Sequence, residues 1–176
     1  MLYFLSQFLF PFIMKSFILF NFSAESKINQ WNIVDDVVMG GRSQGRFMLS
    51  KEGHGVFYGD VSLENNGGFS SVRHDFQVMD PSGFTKFVLK VKGDGKAYQF
   101  RAKARSNDYY SYIGEFTTSG EWQEIEIPFN TMYPAFRGRT LNQSNFSGNR
   151  LDEIAFLIGN KRNESFRLEI DQIEMQ

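Results

Sequence analysis

The chain has 176 residues, with 19 basic side chains against 20 acidic ones, no cysteine, two histidines and 20 phenylalanines. That length fits one domain, able to bury roughly 70% of its unfolded surface. Near-neutral charge argues against a general nucleic-acid binder, and the lack of cysteine removes disulfide scaffolds, zinc–thiolate sites, iron–sulfur clusters and thiol catalysis. Two histidines make a His-rich metal site a poor fit as well. The chemistry left is that of oxygen, amide and arginine groups, and no cofactor or metal is expected.

Phenylalanine is unevenly spread: Phe4, Phe8, Phe10, Phe12, Phe17, Phe20 and Phe22 all precede residue 23. Leu2–Phe22 carries one charge, Lys15. A membrane span needs about 20 apolar residues in a row, and Ser6, Gln7, Pro11, Lys15, Ser16 and Asn21 interrupt this one. A secretory signal wants basic residues ahead of its apolar run, whereas Lys15 lies in the middle. A third reading makes Met14 the true start and residues 1–13 an upstream extension. Residues 14–176 are then a single domain, and Ser16–Phe22, aromatic and β-branched, is its first strand.

Downstream the pattern is of short strands between turn residues. Arg46–Ser50 and Gly55–Leu63 flank the glycine-bearing turn Lys51–Gly55. Phe84–Lys92 is followed by Gly93-Asp94-Gly95, which predicts a tight hairpin into Lys96–Arg105. In that strand Tyr98, Phe100, Ala102 and Ala104 take one face, and Gln99, Arg101, Lys103 and Arg105 the other. Tyr110–Thr117 and Glu121–Phe129 follow, the latter with Trp122, Ile125 and Ile127 as expected core. Asn130–Asn149 is the longest irregular stretch. Leu151–Ile158 and Ser165–Met175 alternate again. No segment of ten or more residues has helical periodicity. About nine strands without crossover helices predict an all-β, antiparallel β-sandwich or jelly roll.

Two clusters stand out: Trp31–Ser43, which contains Asp35-Asp36-Val37-Val38-Met39-Gly40-Gly41, and Gly59–Arg73, which contains Asn65-Asn66-Gly67-Gly68-Phe69. Gly and Asn enter left-handed or tight backbone at least cost. Paired glycines also bare N–H groups that could cradle an anion or a sugar hydroxyl. The plainer reading is tight loops at one end of a sandwich. Adjacent Asp35 and Asp36 point to opposite sides of an extended segment, so they form no facing acid–base pair. A triad of Ser70 or Ser71 with His74 and Asp75 rests on sequence adjacency alone. Arg101, Lys103 and Arg105 would make an anion patch if their face is concave, and a solvated face explains them as well. Arg137-Gly138-Arg139 carries the same ambiguity.

Taken together, these clusters resemble the complex I intermediate-associated protein 30 family, from about Phe17 to Ile173. The resemblance includes Ile18–Phe22, Trp31, Asp35–Ser43, Gly59, Asn65–Arg73, Trp122, Pro128-Phe129, Arg137–Arg139 and the closing strands. The residue before the motif aspartate, often Asn in that family, is Asp35 here. The resemblance implies a galactose-binding-domain-like sandwich, akin to carbohydrate-binding modules, in a family whose mitochondrial members assist respiratory complex I assembly. It also implies a non-enzymatic domain that holds a protein partner, respiratory or membrane-associated, through loops at one end. The alternative is a carbohydrate-binding module with a glycan ligand stacked on Tyr109, Tyr110, Tyr112 or Tyr133. Nucleic acid is not expected as a partner. A bacterial cytoplasmic location is expected, with secretion or anchoring through residues 1–22 as the alternative.

The expected site joins Asp36, Met39, Gly40, Gly41, Asn65, Asn66, Gly67, Gly68 and Arg73, with Arg137 and Arg139 as further binding candidates. Asp36 should bond loop amides or pair with Arg73. Trp31 and Phe69 are expected as core anchors.

Overall fold

The computed structural model describes residues 15–176, so the expected extension at residues 1–13 lies outside the described residues. Among the described residues, thirteen strands form two antiparallel sheets. The first contains β1 (Phe17–Asn21), β3 (Gln44–Leu49), β4 (Gly55–Val61), β6 (Lys86–Lys92), β9 (Trp122–Pro128) and β13 (Glu164–Met175). Its order is β3-β4-β13-β6-β9, with β1 also pairing to β13. The second sheet contains β2 (Trp31–Asp35), β5 (Ser70–Met79), β7 (Ala97–Lys103), β8 (Ser111–Thr117), β10 (Tyr133–Phe136), β11 (Arg139–Thr140) and β12 (Leu151–Ile158). It runs β11-β10-β8-β7-β12-β5-β2.

Period-two alternation places the core between the sheets. Tyr98, Phe100 and Ala102 of β7 face Phe57, Phe87, Leu89, Leu168 and Ile170 of the first sheet in one buried cluster. Fully burying each such side chain stabilises the fold by about 1.5–3 kcal/mol relative to exposure. The expected opening strand forms: β1 pairs Phe17 with Met175, and Phe20 packs on Phe22, Trp31 and His74.

Four expectations need correction. Gly93-Asp94-Gly95 is not a hairpin turn, because β6 and β7 lie in different sheets and the segment carries the chain between them. The crossing is pinned by the Asp94 carboxylate, which accepts hydrogen bonds from Tyr98 Oη at 2.9 Å, Lys96 Nζ at 2.8 Å and the Arg167 amide at 2.9 Å. The stretch Asn130–Asn149 is less irregular than expected, since it supplies β10 and β11 at the sheet edge. Trp122 is 37% exposed rather than core, its ring 4.7 Å from that of His54. Finally, all eight residues of β12 are buried, so its outward face is sheltered as well as its inward one.

Candidate functional site

The two glycine-bearing loops meet around one carboxylate. β2 ends at Asp35, and the chain turns through a 3-10 segment, Asp36–Met39. Alternation sends the two aspartates opposite ways. Asp35 accepts the Gly45 amide at 2.9 Å and Ser70 Oγ at 2.6 Å. Asp36 is fully buried and accepts four donors: Ser43 Oγ at 2.5 Å, the Gly68 amide at 2.6 Å, the Ser43 amide at 3.0 Å and the Phe69 amide at 3.2 Å. Burial alone would raise its pKa, but these donors outweigh it and hold the carboxyl below its ordinary value.

The glycine requirement at Gly41 and Gly67 is steric. A Cβ on Gly41 would collide with the Asp36 carboxylate, and one on Gly67 would stand 2.5 Å from Asp36 Oδ2. Gly40 differs, having open space around it and φ of +89°, which closes the 3-10 turn. Asn65 and Asn66 are also left-handed, at φ 56° and 59°, and present exposed side chains. Asp36, Gly40, Gly41, Gly67 and Gly68 are brought together in one knot, in which the Asp36 carboxylate ties the two loops to each other.

What the knot displays is apolar. Val37 is 58% exposed, Val38 75% and Met39 52%, three consecutive side chains on the turn that Asp36 fixes. Leu63, 41% exposed, lies beside Gly68 on the second loop. An exposed ion pair, Arg42 Nη1 to Glu64 Oε2 at 2.9 Å, borders this tip. Sequence reasoning singled out Met39 but missed Val37 and Val38 as surface groups; the cue was an apolar run without alternation just before a double glycine.

Other expected members lie elsewhere. Arg73 does not pair with Asp36, whose acceptor positions are filled by local donors. It sits inside β5, opposite Asn32 and Ala155, with Nη1 4.0 Å from Glu153 Oε1. Arg137 and Arg139 belong to the β10–β11 edge, opposite to the β2 edge that leads into the knot. Arg137 lies over the Phe136 ring at 5.1 Å. Trp31 is a core anchor, as expected, whereas Phe69 is only half-buried. His74 is buried among Phe20, Trp31 and Phe76, so no catalytic set of Asp35, Asp36, Arg73 and His74 converges.

The outward face of the seven-stranded sheet is the second feature of note. In register, Arg73, Ala155, Arg101, Ile113 and Tyr133 form one row across five strands. Ser71, Leu157, Gln99 and Glu115 form the next. Arg101 Nε and Nη2 donate to Gln99 Oε1 at 3.0 and 2.6 Å, Gln99 Nε2 donates to Glu115, and Tyr133 Oη donates to Glu115 at 2.9 Å. Of the four tyrosines expected to stack a sugar, Tyr133 lies in this row. Tyr112 has the opposite parity and packs on core residue Phe146.

The family model for complex I intermediate-associated protein 30 matches residues 20–170. The chain belongs to the complex I intermediate-associated protein 30 family. The matched span contains the whole knot and both outward rows. Two curated relatives are similar over most of the chain. The mouse mitochondrial complex I intermediate-associated protein 30 is 27% identical over 89% of this chain and 55% of its own length. A probable mitochondrial counterpart from Caenorhabditis elegans is 25% identical over 88% of this chain and 52% of its own. The chain thus spans about half the length of the curated family members it matches.

In fold, this family member is similar to the family 11 carbohydrate-binding module of a Clostridium thermocellum cellulase, with TM-score 0.67 and 19% identity over 92% of this chain and 94% of that one. The same module type in complex with a mixed-linked tetrasaccharide aligns with TM-score 0.64 and 18% identity, over 91% of this chain and 94% of that one. These likenesses establish the jelly-roll architecture. Among the described residues no helix is long and apolar enough to cross a membrane.

Proposed function

We propose that this domain is a non-enzymatic docking module that holds a protein partner through the tip formed by Val37, Val38, Met39 and Leu63. Family membership supports the kind of task, since the curated relatives are named for association with complex I intermediates. A respiratory or membrane-associated protein is the partner, and in a bacterium the domain works at the cytoplasmic side of the membrane that carries it. The observation that carries the reading is the exposure of three consecutive apolar side chains on a turn whose base is a fully buried, four-bonded carboxylate.

Apolar side chains grouped at a surface mark an interaction site, and a turn already fixed loses little further entropy on docking. The Arg42–Glu64 pair gives the tip a polar rim of the kind found around apolar interface centres. A photo-crosslinking side chain placed at Val38 in the native cell tests this. A crosslinked respiratory or membrane protein is expected, and no product beyond that from the same group at exposed Gln143 would refute it.

A second reading, carbohydrate binding, is favoured by one observation besides the fold: the hydrogen-bonded side chains of Gln99, Arg101, Glu115 and Tyr133 on the outward face of the seven-stranded sheet, beside β12, which is buried on both faces.

A further inference from the structure

The outward residues of β12 are Glu153, Ala155 and Leu157, at 7%, 3% and 6% exposure. Ile113 and Ser71, from other strands of the same face, are also buried. Their burial means that the longer side chains of the flanking strands, Arg73, Gln99 and Arg101 among them, cover the middle strand. The face is a trough with Ala155 and Leu157 as its floor. Beside it opens a pocket of about 360 Å³, bordered by Gln99, Glu115, Leu157 and Asn160.

Two arginines border the floor. β5 and β7 each pair with β12, so Arg73 and Arg101 flank Ala155, with Cα atoms roughly 10 Å apart. The side chain between them is a single methyl. Neither arginine is well compensated. Arg101 directs Nε and Nη2 at a neutral amide, Gln99. Burial, and then the charge of Arg73, lowers its pKa to about 10. Arg73 has only the loose 4.0 Å approach to Glu153. Like charges held together in a sheltered trough call for an anion between them.

The surrounding groups narrow the class of anion. Glu115 lies one row to one side of the arginine row, and Asp75, Glu153 and Lys103 form the row on the other, so around the one anion position acidic groups outnumber the single further cation. A run of acidic peptide would set its further carboxylates against Glu115 and Glu153. A sugar chain would not: its hydroxyls match the mixed donors and acceptors of Gln99, Glu115, Tyr133 and Asn160. We propose that this trough binds an acidic oligosaccharide, seating one sugar carboxylate over Ala155 between Arg73 and Arg101. The proposal rests on the carbohydrate-binding reading of this face and is independent of the protein-docking tip.

Calorimetric titration of the full chain with trigalacturonate, its fully methyl-esterified form and a hexaglutamate peptide decides it. Trigalacturonate should bind at least about tenfold more tightly than the ester, as expected for a bidentate charged contact. Arg73→Gln and Arg101→Gln should each lower its affinity about tenfold while leaving the ester unaffected. Arg101→Lys keeps the charge with less change to the buried site, and should give an intermediate loss at an unchanged thermal midpoint. Equal binding of ester and acid would overturn the anion assignment and leave carbohydrate binding standing. Binding of neither sugar would remove both, and preference for the peptide would overturn the choice of ligand class.

Discussion

The carboxylate of Asp36 accepts a 2.6 Å hydrogen bond from the amide of Gly68, 32 positions further along the chain. That bond joins the two glycine-bearing loops and gives the signature its physical meaning. Gly41 and Gly67 let backbone approach one buried carboxylate, and the turn so fixed lifts Val37, Val38 and Met39 into solvent.

Replacing Asp36 with Asn sets an amide NH2 against donors already aimed at that position. Unfolding in urea should show a loss of about 2 kcal/mol or more. The same carboxylate gives a pH dependence of definite sign. Its folded pKa lies below the ordinary value of 3.8, so its stabilisation is complete above that value and is lost as pH falls through the folded one. The Asn variant should lack that acid-side decline.

Neighbouring glycines should respond differently to one added methyl. Gly41→Ala drives a Cβ into the Asp36 carboxylate and should cost about 2 kcal/mol. Gly40→Ala meets open space and bears only the left-handed backbone penalty, about 1 kcal/mol. Thermal melts of both variants check the order, and equal losses would remove the steric explanation.

His74 is buried, its Nδ1 has no hydrogen-bond partner among the described residues, and burial lowers its pKa below 6.5. A depressed histidine favours the fold above its unfolded value, and that contribution is lost as pH drops through the folded one. The stability difference between the wild-type chain and His74→Phe should therefore shift in favour of the variant as pH falls below 6.5. A pH-independent difference would show that the ring is protonated without cost in the core.

Much of this was legible in the sequence. The alternation of Tyr98, Phe100 and Ala102 gave the core face of β7, and Phe17–Phe22 gave β1. The two glycine clusters gave the loops that meet at Asp36. What periodicity could not give was sheet membership. Gly93-Asp94-Gly95 has the composition of a hairpin turn, yet Asp94 ties it to Arg167 and Tyr98 across a change of sheet. Arg73 follows the second loop directly in sequence, but strand parity turns it outward toward Glu153. Which strands flank β12 is likewise invisible in a local pattern, so the burial of Ala155 and Leu157 on the outward face cannot be read from their own segment.

The most direct measurement is affinity purification of the chain from its native cell, comparing the wild type with a Val37→Ser, Val38→Ser, Met39→Ser variant. These side chains face solvent, so the thermal midpoint should hold while the respiratory or membrane partner recovered with the wild type is lost at least about tenfold. Undiminished recovery of that partner by a folded triple variant would contradict docking through the tip above Asp36.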